Sequence, residues 1–168
     1  LESLDLSRFD TSKVEFMDYM FAGLYNLNDL NIEGFDMSNV RSMDYMFTYC
    51  NSLEELNVSD FNIENVESLI YTFARCDGLT NLNMGNVNAS SLTYIKEWLF
   101  GCINLERIEL GGVWAPKLTS MAHLFQDLTK LEYVDVSVLN TDNITDMSYM
   151  FKGCSALTSL DVSGFNTS

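Results

Sequence analysis

The sequence predicts an α/β solenoid in which a parallel β-sheet lines the concave side and short helices cover the convex side. The first observation is an internal repeat of 26 residues that runs without insertion or deletion through the 168-residue chain. The second is that the same nine positions of the repeat are apolar in nearly every copy. The third is that the spacing of these positions changes, within each copy, from the period of a strand to that of a helix. A unit this short cannot bury two elements alone, so stacked copies must share one elongated core.

The repeat divides the chain into equal units. With Leu4 as position 0, equivalent apolar residues follow at steps of 26: Leu30, Leu56, Leu82, Ile108, Val134 and Leu160. Residues 1–168 are therefore predicted to form a single solenoid with partial repeats at both ends and six full repeats, 4–29, 30–55, 56–81, 82–107, 108–133 and 134–159. We expect the chain to be a fragment of a longer protein. Its uncapped ends are expected to permit end-to-end self-stacking.

Each repeat reads as a strand, a bend and a short helix. Apolar positions 0 and 2 alternate with polar neighbours, which is the pattern of a strand with one buried face. Apolar positions 10, 13, 16, 17 and 20 follow the spacing of a helical face. Capping residues such as those in "DTSKV" at 10–14 precede this stretch. Glycine at position 19, as in Gly23, Gly101 and Gly153, suits a helix end.

Composition excludes several classes of function. With 47% hydrophobic and 12% aromatic residues, the chain can build a real core. A net charge of -15 with nine scattered Lys and Arg disfavours nucleic acids and anionic membranes, because phosphate binding needs clustered cations. No apolar run approaches the roughly 18 residues of a membrane span. We therefore predict no nucleic-acid partner and no membrane contact by this segment.

The cysteines are predicted to be buried, free thiols. All four occupy position 20, where the two remaining copies have leucine: Cys50, Cys76, Cys102 and Cys154, with Leu24 and Leu128. Interchange with leucine marks an apolar slot. A disulfide requires Cα atoms within about 7 Å, whereas packed helices lie about 8–10 Å apart. A metal site would need a CxxC pair or a nearby histidine, so no metal ligand is predicted.

Catalysis has little support in the sequence. His123, the single histidine, stands at position 15, where four other copies have tyrosine, and this column lies outside the predicted helical stripe. We interpret His123 as an exposed surface residue. The 24 acidic residues guarantee some carboxylate pairs, but a glycosidase pair needs a cleft that raises one pKa. The chain is therefore predicted to be no enzyme and to need no cofactor.

Two stretches resemble a known repeat family. These are "LDLSRFDTSKVEFMDYMF" at 4–21 and "NTDNITDMSYMFKGCSALTSLDVSGFNTS" at 140–168. The LxxLxL spacing is typical of leucine-rich repeats, and the longer phrase is similar to the BspA-like leucine-rich repeats of bacterial cell-surface proteins over the whole chain. Copies four and five depart from the pattern at Trp98, Trp114 and Pro116.

The resemblance implies right-handed stacking of the repeats and no shared catalytic residue. It also implies an extracellular location, at the bacterial cell surface or secreted. The partner that it implies is a protein or glycan of a host or neighbouring cell, bound in adhesion.

The concave wall is predicted from the polar strand positions 25, 1 and 3. It carries one cation, Arg107, and a row of acids: Asp5, Asp29, Glu33, Glu55, Glu109, Asp135 and Asp161. At a strand spacing of about 4.8 Å, stacked asparagines can form a ladder, while stacked acids repel unless a cation or a basic partner compensates. The wall is thus a hydrated solubilising surface, a site for a basic protein, or a calcium-assisted contact.

Copies four to six hold the more specific candidate site. Arg107 and Tyr133 occupy position 25 on neighbouring repeats, beside Glu109 and Asp135 at position 1. Tyr and Arg are enriched in binding hot spots. Trp114, at position 6, is either a further contact residue or a bend residue that covers a local repacking. The sequence thus favours a non-catalytic binding or adhesion module, with a passive structural spacer or stalk as the alternative.

Overall fold

The structure is a parallel β-solenoid built from one rung per repeat. It is a computed structural model that describes residues 1–85, 88–112 and 115–167. Its strands are β1 Ser3–Asp5, β2 Asp29–Asn31, β3 Glu55–Asn57, β4 Ser68–Ile70, β5 Asn81–Asn83, β6 Tyr94–Lys96, β7 Arg107–Glu109 and β8 Tyr133–Val134. Each is two or three residues long, so the fold depends on pairing between rungs rather than on long strands.

The strands pair in parallel with partners one repeat away. Strands β1 and β2 form one sheet, β3, β5, β7 and β8 form a second, and β4 and β6 form a third. Leu4 faces Leu30 and Leu82 faces Ile108 in these registers, so equivalent positions of successive repeats lie side by side. The predicted parallel-strand solenoid is confirmed, with strands at positions 25 to 1.

The predicted convex-side helices are wrong, because the described residues contain no helix. Positions 12 to 14 instead form a second ladder, in which β4 pairs with β6. Isolated parallel bridges continue this ladder from Phe16 to Ser42 and from Ser42 to Ser68. Pairing along these two walls therefore joins the rungs, although not every neighbouring pair is bonded along both.

Left-handed backbone conformations explain why the helical spacing does not produce a helix. Position 15 has a positive φ in each of the six full repeats, for example 58° at Tyr19. Position 19 does the same, with 76° at Gly23. The Tyr19 and Phe21 amides donate to the next rung, to the carbonyls of Asp44 at 3.0 Å and Met46 at 2.9 Å. A helix requires each amide to donate to the carbonyl four residues earlier in the same segment. The Tyr19 and Phe21 amides cannot do so, because they donate to the next rung.

The core is a set of buried columns along the solenoid. Position 17 forms an aromatic spine in which Phe47 stacks on Phe21 at 5.4 Å and on Phe73 at 5.3 Å between ring centroids. Trp98 is also buried, and its Nε1 donates to the Leu124 carbonyl at 3.1 Å. The nine apolar positions missed one buried column, position 7: Thr11, Met37, Ile63, Ala89, Ala115 and Thr141.

The cysteines are unpaired, and three of them lie in the core. Cys50, Cys76 and Cys102 are buried, whereas Cys154 is half-buried. Each thiol donates to a phenylalanine carbonyl of the preceding rung, as Cys50 does to Phe21 at 3.2 Å. Burial raises the pKa of the Cys50 thiol to about 11. These side chains therefore behave as small apolar residues with a weak donor.

Candidate binding surfaces

The first candidate surface, the strand face, consists of the position 25 and position 1 side chains of strands β1, β2, β3, β5, β7 and β8 together with Asp135. On these strands the middle residue points inward, as in the exposed, buried, exposed pattern of Glu55–Asn57 and Arg107–Glu109. The acids Asp5, Asp29, Glu55, Glu109 and Asp135 are exposed. Because the strands run side by side within each of the two sheets that they form, the side chains of each sheet share one surface.

Position 1 also shapes the backbone that leaves each strand. The Asp5 carboxylate accepts a bond from the Ser7 amide at 2.9 Å, and Asn57 accepts from the Ser59 amide at 3.0 Å. This is the Asx turn, in which a side-chain oxygen stands in for a backbone carbonyl. Hydrogen bonds from the Ser7 side chain and amide lower the pKa of Asp5. Aspartate and asparagine thus interchange here because both make the same turn.

Arg107, Glu109 and Tyr133 form a contact cluster on the strand face. Arg107 faces Tyr133 in the register of β7 and β8. Its guanidinium carbon lies 5.0 Å from the centroid of the Tyr133 ring, and its Nε lies 3.2 Å from the Glu109 carboxylate. The side chains of Arg107 and Glu109 are 54% and 52% exposed. The cluster is therefore an accessible cation held between a carboxylate and an aromatic ring.

The other two sequence-predicted site residues are placed differently. Asp135 directs its carboxylate to Ser137, accepting from the amide at 3.0 Å and the hydroxyl at 2.6 Å. These two bonds lower the pKa of Asp135, so it stays ionised and serves its own turn. Trp114 lies outside the described residues.

The second candidate surface is a column of tyrosines at position 15. The rings of Tyr19 and Tyr45 stack at 4.6 Å with 4° between their planes, and those of Tyr45 and Tyr71 stack at 5.2 Å. Tyr19 is 59% exposed. The Tyr71 hydroxyl donates to Glu97 at 2.7 Å, a bond that, with desolvation, raises the pKa of Tyr71 to about 12.

The sequence predicts no site at this column, because position 15 lies off the predicted helical stripe. The signal that would have found it is tyrosine recurring at a position that does not face the core.

His123 belongs to the same column, and its interpretation as an exposed residue was wrong. It is half-buried. Its ring stacks on Tyr149 with 5.0 Å between centroids, and its Nδ1 is hydrogen-bonded to the Gln126 side chain. The thiols of Cys50 and Cys102 lie in the core with pKa values raised by burial, which is the opposite of an activated nucleophile.

The described part of the chain has neither a metal-binding group nor a membrane-spanning helix. No group of three or more His, Cys, Asp or Glu side chains there is arranged to hold a metal ion. Those residues also contain no helix with the length and apolar character of a membrane crossing.

The fold and the exposed surfaces define a class of protein. A parallel solenoid with one short repeat per rung and polar strand edges is a leucine-rich-repeat-like protein, a type of scaffold that typically binds partners rather than catalysing reactions. Within this class, the family model described as "Mycoplasma protein of unknown function, DUF285" matches residues 1–110 and 104–168. The chain belongs to this family.

A solved structure supports the same fold. The crystal structure of the T. pallidum leucine-rich-repeat protein TpLRR is similar, with a TM-score of 0.54 and 19% sequence identity, over 94% of this chain and 72% of that one. Comparison with curated protein sequences found no match. The similarity to leucine-rich-repeat proteins is thereby supported, while the finer BspA-like repeat phrase stays a prediction.

Proposed function

We propose that this chain is a non-catalytic binding or adhesion module, displayed on a bacterial surface or secreted, that presents its acidic strand face to a host or neighbouring-cell protein or glycan. The observation that carries the proposal is the cluster of Arg107, Glu109 and Tyr133 on strands β7 and β8, at the C-terminal end of an exposed acidic surface. Arginine and tyrosine are the residue types that most often supply binding energy at interfaces.

The energetics of the cluster leave it available to a partner. An exposed ion pair such as Arg107 with Glu109 contributes about 0–1 kcal/mol, and an exposed cation–π contact about 0.5–1 kcal/mol. A ligand carboxylate or hydroxyl can replace either contact at small cost. The acids on the neighbouring rungs of the strand face, including Glu55 and Asp29, favour a basic protein patch, because complementary charge speeds encounter.

The test is a double substitution, Arg107→Ala with Tyr133→Ala, assayed on an array of matrix proteins and glycans with and without calcium. We expect the strongest ligand of the unmodified chain to lose about tenfold or more in affinity, as hot-spot truncation does. Thermal stability should change little because both side chains are exposed. Affinity for a basic protein should also fall as salt is added.

The matched control is Arg41→Ala with Tyr94→Ala, which removes an exposed arginine and an exposed tyrosine away from the strand face. Equal losses in both double variants would show a non-specific charge effect. Binding that persists in the Arg107→Ala and Tyr133→Ala variant would show that these residues are not the binding site. The absence of binding to every ligand on the array would favour a structural spacer or stalk.

A further inference from the structure

We infer that the tyrosine column forms one wall of a separate binding groove for an extended, uncharged oligosaccharide. The groove has a volume of about 480 Å³, within the range of small-ligand sites. Its floor contains the small residues Ala22, Thr48 and Ala74, and its wall is Tyr19, Tyr45 and Tyr71. This tyrosine groove uses a different segment of each rung from the strand face, so it does not depend on the function proposed above.

The opposite side of the tyrosine groove is lined by position 19 side chains and by a phenylalanine of the fourth repeat. Tyr49 and Arg75 line it, and Phe100 lies at one end, 39% exposed and edge-on to Tyr71 with 6.2 Å between ring centroids. The groove therefore extends over four successive rungs. A linear polymer whose unit length approaches the rung spacing would meet an equivalent aromatic contact at each step.

The stacking of the tyrosines argues against a peptide as the occupant. Proline-rich peptides need slots between aromatic side chains to receive their prolines. Here the rings lie face to face at 4.6 and 5.2 Å, which leaves no slot between them. The column instead offers a row of three ring edges with the hydroxyls of Tyr19 and Tyr45, while the Tyr71 hydroxyl already donates to Glu97. Sugar rings can meet these edges through their C–H and hydroxyl groups, without stacking on an aromatic face.

The backbone of the groove also disfavours an added β-strand. The amides of Tyr45 and Phe47 donate to carbonyls of the next rung at 2.9 Å each, and the Thr48 amide donates to Tyr45 at 3.1 Å. The Thr48 hydroxyl donates to the Tyr71 carbonyl at 2.7 Å. An extended peptide would find these donors already used. Recognition must therefore come from side chains.

Arg75 supplies the strongest donors in the groove. It is half-buried and is the one charged side chain among the described residues that line the groove. The ion pairs among the described residues are Arg41 with Glu15, Lys96 with Glu97 and Arg107 with Glu109, so Arg75 lacks a carboxylate partner. Its stem lies against Gly101, where an added Cβ would be 2.4 Å from its Cδ.

A guanidinium held in this way can donate to sugar hydroxyl or acetamido oxygens through a rigid fork. The net charge of -15 repels polyanions at long range. An uncharged glycan is therefore the class that fits both the local donors and the overall field.

The experiment measures binding of neutral cello- and chito-oligosaccharides of increasing length by titration calorimetry. We expect affinity to rise with length up to four sugars, one for each rung of the groove, and then to level off. Arg75→Gln and Tyr45→Ala should each lower the affinity by about tenfold. Thermal unfolding of Arg75→Gln and Tyr45→Ala checks that any loss does not come from a folding defect, and Tyr45→Phe, which keeps the ring, separates the contribution of the ring from that of the hydroxyl. Tyr94→Ala, an exposed tyrosine outside the groove, should bind normally.

Three outcomes would overturn the inference. The first is that no neutral oligosaccharide binds the unmodified chain. The second is that binding occurs but survives both Arg75→Gln and Tyr45→Ala. The third is that a proline-rich peptide or a polyuronate binds in preference and is lost in the same variants, which would assign the groove to another class of ligand. These three outcomes concern the tyrosine groove alone. They do not depend on whether the Arg107→Ala and Tyr133→Ala variant loses binding on the array.

Discussion

At the scale of single residues, close approach between rungs decides which side chains the backbone tolerates. Gly85 follows β5 with a φ of +62°, and a Cβ there would lie 2.2 Å from the carbonyl oxygen of Ser59 on the neighbouring rung. Three other full repeats have serine at this position, Ser7, Ser59 and Ser137, and none of the three has a positive φ. The glycine is therefore a consequence of a local change in the path of the chain.

Gly85→Ala is expected to destabilise the protein by more than about 1 kcal/mol, because it adds a left-handed penalty to a clash with backbone atoms. Urea unfolding followed by fluorescence measures the change. Gly112→Ala is the control, since no atom lies within 4 Å of the added Cβ, and it should alter stability by less than about 0.5 kcal/mol. Equal effects of the two substitutions would mean that the rungs do not approach as described.

At the scale of elements, the strands could be predicted, whereas the sequence wrongly predicts a helix where the described residues form a second ladder. Alternation at Leu4 and Leu6 fixes which strand face is buried, because side chains alternate with a period of two. The spacing of Val14, Met17, Met20 and Phe21 fits a helix equally well as it fits a rung with left-handed turns. Positive φ at Tyr19 is not visible in sequence, since tyrosine rarely adopts it and the bonds between rungs impose it. Tertiary pairing therefore overrode local periodicity.

The turns between elements predict a specific acid sensitivity. Hydrogen bonds from serine two residues later lower the pKa of Asp10, Asp36 and Asp135. A lowered folded-state pKa stabilises the protein above the ordinary aspartate value near 3.9, and this contribution is lost as pH falls through the lower folded-state value. Changing all three residues to Asn keeps the hydrogen bond from the serine amide to the side-chain oxygen, as Asn57 shows. In this variant the free energy of unfolding should fall less between about pH 5 and pH 2 than in the unmodified protein.

Urea unfolding at successive pH values measures this effect. A control triple variant, Glu54→Gln with Glu106→Gln and Glu132→Gln, removes the same number of exposed carboxylates from outside the Asx turns. If both triple variants flatten the profile alike, general charge repulsion rather than the turns controls the acid response.

At the scale of the whole molecule, the stacking of the repeats determines which residues of different repeats lie close together. The sequence predicts only some of these proximities. The neighbourhood of Arg107 and Tyr133 was predictable, because equal repeats put the same position side by side. The tyrosine groove was not, since its walls combine positions 15, 18 and 19 across several rungs and depend on the unpredicted turns. A constant repeat length therefore predicts which residues form a column. A groove between columns cannot be predicted without knowing the path of the backbone.

The same stacking predicts that the thiols report separately on local and global opening. Burial raises the pKa of Cys50 to about 11 and of Cys102 to about 12, and it raises the pKa of Cys76 well above its ordinary value. Thiolate is the reactive form, so these three should react with an aromatic disulfide reagent only as fast as the rungs open. Cys154 is half-buried and should react first.

The expected result near neutral pH is one fast thiol and three slow ones, which merge into a single fast phase in urea. Cys154→Leu, which copies the residue found at Leu24 and Leu128, should abolish the fast phase while leaving the slow phase intact. Four equally fast thiols in the folded protein, or a fast phase that persists in Cys154→Leu, would show that the core columns are open to solvent. The slow rate in the remaining thiols then measures how cooperatively the interior rungs hold together, since strand pairing joins these rungs to one another.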